Sequence, residues 1–462
     1  MTIMKTSHDL IVIGGGSAGY AAARTAQETG ADVAIIDQGP LGGLCILRGC
    51  MPTKAILRSS EVIALTRRAV EFGLAPVRTK ADLAAIIARK DRLVREFAED
   101  RIKALHDPRF TLYEERATFC SPQEVQVGRH VLSAKAFIIA TGSVPSRIPI
   151  PGLEETGYLT SDDLLELKVQ PASLLVLGGG PVATELAQFY QRIGTAVTLI
   201  QRAQHLHSHL DEDLARPLEA RFRDEGMAVY TGAQLQRCTK QGPTKTVHFM
   251  LEGREKTASG ELILQALGRR PNIDGLNLEA AQVKVQNGRP LVNGEMRTSQ
   301  PHIFAVGDAA DVHDVVHEAI VQGEIAAYNA VHPQRPPRRL DDRLTCEVVF
   351  TDPQVATVGL TEKACRRRDI PYLAASHPFS DHGKALCLGE THGQVKLLCR
   401  PKTGELLGAH LVGPEAGELI HELIAVMYYH GTVQDLLRIP HYHPTLAEIL
   451  TYPAEALAAQ LG

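Results

Sequence analysis

Cys45 and Cys50 stand in the run Gly42 to Lys54, G-G-L-C-I-L-R-G-C-M-P-T-K, with a glycine just before the second cysteine and a proline two residues after it. Thiols at this separation can cycle between dithiol and disulfide, which is two-electron chemistry. Bridging needs Cα atoms within roughly 7 Å, and a regular helix holds residues five apart farther than that, so a disulfide here bends the backbone. Strained, accessible disulfides are the easily reduced ones. Two other readings use the same residues: a pair of unrelated buried thiols, or half of a zinc site. Zinc requires two more ligands at metal spacing, and the nearest cysteines, Cys120 and Cys238, stand alone. From Pro52 onward the segment reads as a helix.

The elements before and after this run supply places for an electron carrier. Asp9 to Ile13 is a short apolar strand, followed at once by Gly14, Gly16 and Gly19 in a G-x-G-x-x-G pattern and then by a helix expected over 20–29. Strand, glycine turn and helix in that order let backbone N–H groups and the helix N-terminus hold a pyrophosphate. A second strand, Val33 to Ile36, ends in Asp37, where a carboxylate can bind an adenosine ribose hydroxyl. Further on the pattern recurs: Leu174 to Leu177, then Gly178, Gly179, Gly180, Pro181, Val182 and Ala183 as G-x-G-x-x-A, then a helix over 182–190. One glycine turn is weak evidence, but two copies argue for an enzyme that passes a hydride between a nicotinamide and a flavin. Asp37 lies 23 residues after Gly14, and the same step from Gly178 falls on Gln201, with Arg202 next. The carboxylate that favours NAD is absent there, and Arg202 is either a 2′-phosphate partner or a solvated loop charge.

Composition narrows the class. At 462 residues the chain is long enough for about three domains. Lys and Arg number 49 against 53 Asp and Glu, a balance that argues against nucleic acid as a main partner. Eight cysteines with one motif-like pair read as thiols of a reducing compartment. The first residues lack the apolar run of a signal peptide, and stretches such as Leu10 to Ile13 are too short to cross a bilayer, so a cytoplasmic protein with no membrane partner is expected. Residues 59–105 carry long helical periodicity with a solvated charged face and no assigned chemistry.

The order of these parts over nearly the whole chain resembles the FAD-dependent pyridine nucleotide-disulfide oxidoreductases, which include dihydrolipoamide dehydrogenase, glutathione reductase and mercuric reductase. The cysteine run matches their G-G-x-C-x-x-x-x-C-x-P-[ST]-K signature. The resemblance implies an α/β fold with two Rossmann-like dinucleotide-binding domains, for FAD and NAD(P), and a C-terminal α+β dimerisation domain. Implied boundaries are 1–150 and 273–339 for the two FAD segments, 151–272 for NAD(P) and 340–462 for the interface domain. It also implies a redox-active Cys45–Cys50 disulfide beside FAD, and Glu185 paired with Lys54 near the flavin. The resemblance further implies that Ala140-Thr141-Gly142 closes the first FAD segment, that Gly268 to Asn272 closes the NAD(P) domain, and that Asp308 in Ile303 to Ala309 would bind the ribityl-phosphate side of the flavin. His317, before Ala319, stands where dihydrolipoamide dehydrogenases carry histidine.

Near the end, His441-Tyr442-His443-Pro444-Thr445-Leu446-Ala447-Glu448 matches the H-x-H-P-T-x-x-E of thiol-active members. It implies His443 as acid-base group, oriented by Glu448 across a homodimer with shared sites, and a cis His443-Pro444 bond. Mercuric reductases lack this histidine and end in a second cysteine pair, whereas no cysteine follows Cys399 here. The resulting expectation is transfer of electrons between a dihydrolipoamide-type dithiol, free or on a lipoylated protein, and NAD or NADP, with no metal. The alternatives are an NADPH-driven reductase of a small disulfide, as in glutathione reductase, and a flavoprotein subunit of a larger assembly. Arg48 departs from the relatives' usual L-N-V between the cysteines and adds a charge near the mouth of the site.

Overall fold

Val33–Ile36 is apolar on both faces, and such a run belongs inside a parallel sheet covered on both sides. The computed structural model describes residues 6–310 and 315–461. They divide into two units. One gathers the residues through Pro52 with Arg89–Arg147 and Gly268–Leu340, and the other Thr53–Ala88, Ile148–Leu267 and the chain from Asp341 onward.

In the first unit, strands Phe110–Tyr113, Val33–Ile36, Ser7–Ile13, His130–Ile139 and Ile303–Ala305 lie side by side and parallel. The first two chain segments of this sheet flank the glycine turn, and the turn opens directly into helix Ser17–Gln27. That helix starts three residues before the sequence expectation: Gly14 and Gly16 lie outside it, with Gly16 extended at its N-cap, and Ser17, Ala18 and Gly19 form its first turn. The outer part of His130–Ile139 pairs antiparallel with Glu124–Val127, which pairs with Ala117–Ser121. Helix Val316–Val331 packs on Ser17–Gln27 so closely that a Cβ at Gly323 would sit 2.3 Å from the Ala18 carbonyl oxygen.

The second unit holds a parallel sheet of the same winding, Ala228–Tyr230, Ala196–Ile200, Ser173–Leu177 and Leu262–Gln265, with helix Pro181–Ile193 after its first strand. A five-stranded antiparallel sheet runs Cys346–Val349, Gln354–Gly359, Leu406–Gly413, Gln394–Cys399 and Leu373–Pro378. Helices Ala416–Tyr428 and Thr451–Leu461 share its core. The helical periodicity over 59–105 is interrupted: Cys50–Arg67 and Leu83–Leu105 are separate helices, and Gly73, at φ 75°, ends the 3-10 turn between them. Among the described residues no helix is long and apolar enough to cross a membrane.

Buried ionisable groups in this unit give its stability a pH dependence. His410 on Leu406–Gly413 is fully buried, and its Nε2–H donates to the Leu360 carbonyl at 3.0 Å. Burial pushes its pKa down to about 4, so the imidazole is neutral in the fold. A depressed folded value means that the stability is present above the ordinary value near 6.5 and is lost as pH falls toward 4, by up to about 3 kcal/mol for this one group. His410→Gln, which retains a donor, should therefore flatten the fall of Tm between pH 6.5 and 4. An unchanged profile would show that other groups govern the acid limb.

Candidate functional site

The two glycine turns repeat each other hydrogen bond by hydrogen bond. Gly14 N–H donates to the Ile36 carbonyl at 2.7 Å, and Gly178 N–H to the Ile200 carbonyl at 2.9 Å. Ala140 N–H donates to Ile13 at 2.8 Å, and Ala266 N–H to Leu177 at 2.9 Å. Gly14 has φ 107° and Gly178 φ 122°, and a Cβ on either would lie 2.3 Å from the carbonyl oxygen of Ala140 or Ala266. Only glycine fits such a backbone.

Around the first turn, Asp37 accepts the Gly15 N–H at 2.7 Å and the Gly39 N–H at 2.8 Å, so its carboxylate is locked at the strand end. Gly16 and Gly43 face each other, and a Cβ on Gly43 would come within 2.7 Å of the Gly16 Cα. This is backbone bared for close approach, as a pyrophosphate requires. Thr141 Oγ1 is buried without a hydrogen-bond partner, while the Thr141 and Gly142 carbonyls accept from Asn272 at 3.3 and 2.8 Å. Asp308 accepts the Ser143 hydroxyl at 2.7 Å, and Arg269 Nε donates to that hydroxyl at 2.8 Å. Ala319 is buried below Gly307, whereas His317, two residues earlier on the same helix, is exposed. Together these groups fit a flavin dinucleotide.

The cysteine run departs from one continuous helix. Gly43–Arg48 and Cys50–Arg67 are distinct helices broken at Gly49, where a Cβ would sit 3.0 Å from the Leu44 carbonyl oxygen and 3.1 Å from the Cys45 Cα. Glycine between the cysteines thus permits the bend that bridging requires. Both cysteines are half-buried, and Cys50 opens the second helix, whose N-terminal dipole favours a thiolate.

In the second unit, Lys54 Nζ lies 2.9 and 3.0 Å from the two Glu185 carboxylate oxygens, and the Glu185 side chain is only 5 % exposed. Phe350 N–H donates to Glu185 Oε1 at 2.9 Å, and the Phe350 ring lies 4.5 Å from Lys54 Nζ. An ammonium held this way can stabilise negative charge developing beside it. At the second turn, Gln201 folds back: its carbonyl oxygen accepts the Arg202 N–H at 2.9 Å, and a Cβ on Gly179 would touch its side chain at 2.9 Å. Arg202 is exposed. Gly180 is open, with nothing within 4 Å of a Cβ there, and Gly268 has φ 109°.

Glu448 Oε1 is 2.8 Å from His443 Nδ1, and its other oxygen accepts the Thr445 N–H at 2.8 Å. These bonds, the Thr445 N–H first and then His443, hold the Glu448 pKa below the usual carboxylate range. The His443–Pro444 bond is cis, as expected. The His443 side chain is 82 % exposed, so Nε2 is presented outward from a fixed ring. The motif reading did not foresee Phe350, Ser143 and Arg269. Arg269 lies in the Gly268 to Asn272 segment, but a backbone donor such as Phe350 N–H and a bridging hydroxyl such as that of Ser143 leave no mark in sequence.

Comparison with known proteins gives a consistent kinship. The model of the pyridine nucleotide-disulphide oxidoreductases matches residues 8–323, and that of their dimerisation domain matches residues 345–454. A mercuric reductase of Staphylococcus aureus is 35% identical over 416 residues, 90% of this chain and 76% of that protein. A dihydrolipoyl dehydrogenase of Thermus scotoductus is 37% identical over 427 residues, 91% of this chain and 90% of that one. The HOCl-induced flavoprotein disulfide reductase RclA from Escherichia coli, solved as a Cu(II) complex, superposes with a TM-score of 0.86 at 26% identity, covering 98% of this chain and all of that one.

Removal of Lys54 leaves the Glu185 carboxylate in a nearly closed site with the Phe350 N–H and no cation. Lys54→Met should cost about 1–3 kcal/mol, the penalty of an under-satisfied buried charge, read as a lower urea midpoint. Glu185→Gln in the same background should recover part of it. No loss in the single variant would show that the pair is solvated.

Proposed function

Because the chain belongs to the pyridine nucleotide-disulphide oxidoreductase family, an enzyme family that uses FAD with NAD or NADP and forms homodimers through the domain matched here, we propose that it oxidises a dihydrolipoamide-type dithiol through a Cys45–Cys50 disulfide. The observation that carries this reading is His443, clamped at Nδ1 by Glu448 at 2.8 Å and 82 % exposed at the surface of its own chain. A general base so oriented, with its reactive nitrogen outward, fits a reaction partner on the second subunit.

In this reading His443 Nε2 takes the proton from one substrate thiol, and the thiolate attacks Cys45 Sγ. A mixed disulfide forms, the Cys45–Cys50 bond breaks, and Cys50 leaves as thiolate. The second substrate thiolate then displaces Cys45, so the substrate departs as a disulfide and two electrons remain on the cysteines. FAD, when bound, carries those electrons on to the nicotinamide. Gly14, Gly16, Gly19, Asp37, Thr141, Gly142 and Asp308 would hold it, and Gly178 and Gly180 would hold the nicotinamide coenzyme. Lys54, fixed by Glu185, would supply positive charge beside the flavin.

Steady-state assay with dihydrolipoamide and NAD⁺ or NADP⁺, against glutathione disulfide or Hg(II) with NADPH, tests the substrate class. Turnover confined to glutathione disulfide or Hg(II) overturns the dithiol reading. His443→Ala should lose about 10²–10⁴-fold in dithiol turnover with FAD still bound, and Glu448→Gln should lose less. Heterodimers of inactive Cys45→Ser and His443→Ala subunits should regain about half the wild-type sites, since one site of the two then holds both good partners. Mixed dimers that stay inactive exclude a shared site. For the coenzyme, Gln201 in the seat of a carboxylate, with an exposed Arg202 beside it, favours NADP. Arg202→Ala should weaken NADPH by roughly 1.5–3 kcal/mol and scarcely change NADH, whereas equal effects would make Arg202 a loop charge.

A further inference from the structure

Lys396 is a buried cation with no part in the mechanism above. It lies on strand Gln394–Cys399 of the five-stranded sheet and is 3 % exposed. Its Nζ meets Asp213 at 2.9 Å, Asp211 at 3.2 Å and Glu362. Burial works against its charge, but Glu362, Asp213 and Asp211 more than offset this and hold its pKa above the ordinary lysine value. His410, directly across the ladder, is neutral and adds no competing charge.

Asp211 stands just before helix Glu212–Asp224, yet its carboxylate does not cap that helix. Instead it accepts the N–H groups of Glu362 at 3.0 Å and Lys363 at 2.9 Å, while Lys363 Nζ donates to the Ser208 carbonyl at 3.0 Å. The chain just before Asp211 is therefore tied to the antiparallel sheet and its flanking helix at several points. That same segment lies under the second glycine turn. Leu210 N–H donates to the His207 carbonyl at 2.8 Å, and His207 N–H donates to the Gly179 carbonyl, also at 2.8 Å. The His207 ring reaches Thr184 Oγ1 at 3.2 Å, and that hydroxyl donates to the Gly180 carbonyl at 3.1 Å. Leu206 fills the space beside Gly179, where a Cβ would meet its methyl at 2.9 Å.

We propose that Lys396 is a positioning residue for the nicotinamide coenzyme: from the dimerisation domain it fixes Asp211, and through the 206–210 segment it fixes the Gly178–Gly180 turn. The inference rests on the reading that this turn holds the coenzyme. Loss of the cation leaves three carboxylates facing one another, Asp211 shifts off the Glu362 and Lys363 N–H groups, and the segment supporting the turn loosens. The described side-chain bonds of Lys396 go to Asp211, Asp213 and Glu362 and none reaches the first turn, so flavin reduction by a dithiol does not require Lys396.

The test is Lys396→Met in the FAD-loaded dimer, with NAD⁺ and NADP⁺ titrated calorimetrically. The coenzyme that wild type binds should bind about fivefold more weakly or worse, the lower end of ordinary coupling between sites, while FAD content and the rate at which a dithiol bleaches the flavin without coenzyme stay unchanged. Unchanged affinity in the folded variant, or an equal loss in the dithiol half-reaction, overturns the proposal. Should Lys396→Met not fold, Asp213→Asn removes a partner whose side chain is 47 % exposed, and it should give a smaller shift in the same direction; no shift overturns the proposal as well. Gly180→Leu separates the premise from the link, because the fold has room for a side chain there. Intact coenzyme binding in that variant removes the turn from the coenzyme site, and the Lys396 assignment with it. Weakened binding there, with Lys396→Met unaffected, removes only the link.

Discussion

At two places in this chain the backbone passes through a space that no side chain can share. Gly14 and Gly178 each leave a parallel strand with positive φ and run within contact of a carbonyl from the next crossover, that of Ala140 or Ala266. All that follows depends on this crossing. It lets the N–H groups of the turn face outward at a helix N-terminus, the one arrangement in which a peptide chain offers several donors to an anion without a single cation. Because the crossing also binds the end of the second strand, through Ile36 or Ile200, the residue after that strand is delivered to the turn automatically. Asp37 and Gln201 occupy that seat for this geometric reason.

Charge is used differently in the second unit. Glu185, Arg192, Asp211 and Lys396 are all nearly closed off from water, and each is met by an opposite charge. Arg192 pairs with Glu225 at 2.6 Å and Asp352 at 2.5 Å, joining helix Pro181–Ile193 to the turn that opens strand Gln354–Gly359. Buried pairs of this kind contribute little net stability against apolar residues of equal volume, since desolvation consumes most of the attraction. What they supply is a unique arrangement: a helix or loop anchored by a paired charge cannot slide by one residue without stranding that charge. For the helices and loops of this unit, alignment of this sort matters more than a further kilocalorie.

Much of this was legible in the sequence, and the boundary of legibility is physical. The glycine turns are local, and strand, turn and helix follow from their spacing; the H-x-H-P-T-x-x-E segment is local too, but it was the family resemblance that implied the His443–Glu448 pairing now seen at 2.8 Å. Lys54 and Glu185 are 131 residues apart, and only resemblance to a family pointed from one to the other. Phe350 and the Ser143–Asp308–Arg269 chain were out of reach, because a main-chain N–H and a serine hydroxyl are everywhere in a sequence and acquire meaning only from position. The long periodicity over 59–105 misled in the opposite way. Gly73 ends a 3-10 turn in the left-handed region, and the periodicity gave no sign of the break it marks between two helices.

The seats at the ends of the two second strands also differ in how much a substitution there disturbs. Asp37 supports two N–H groups of its own chain, Gly15 and Gly39, so any replacement there unsettles the turn as well as the ligand. Gln201 supports only the N–H of its neighbour Arg202. A substitution at the second seat therefore releases one neighbouring N–H, whereas one at the first seat releases two that belong to the turn and its flank. The two turns thus share a backbone path but not a brace: the first is held by the carboxylate at its seat, and the second is not.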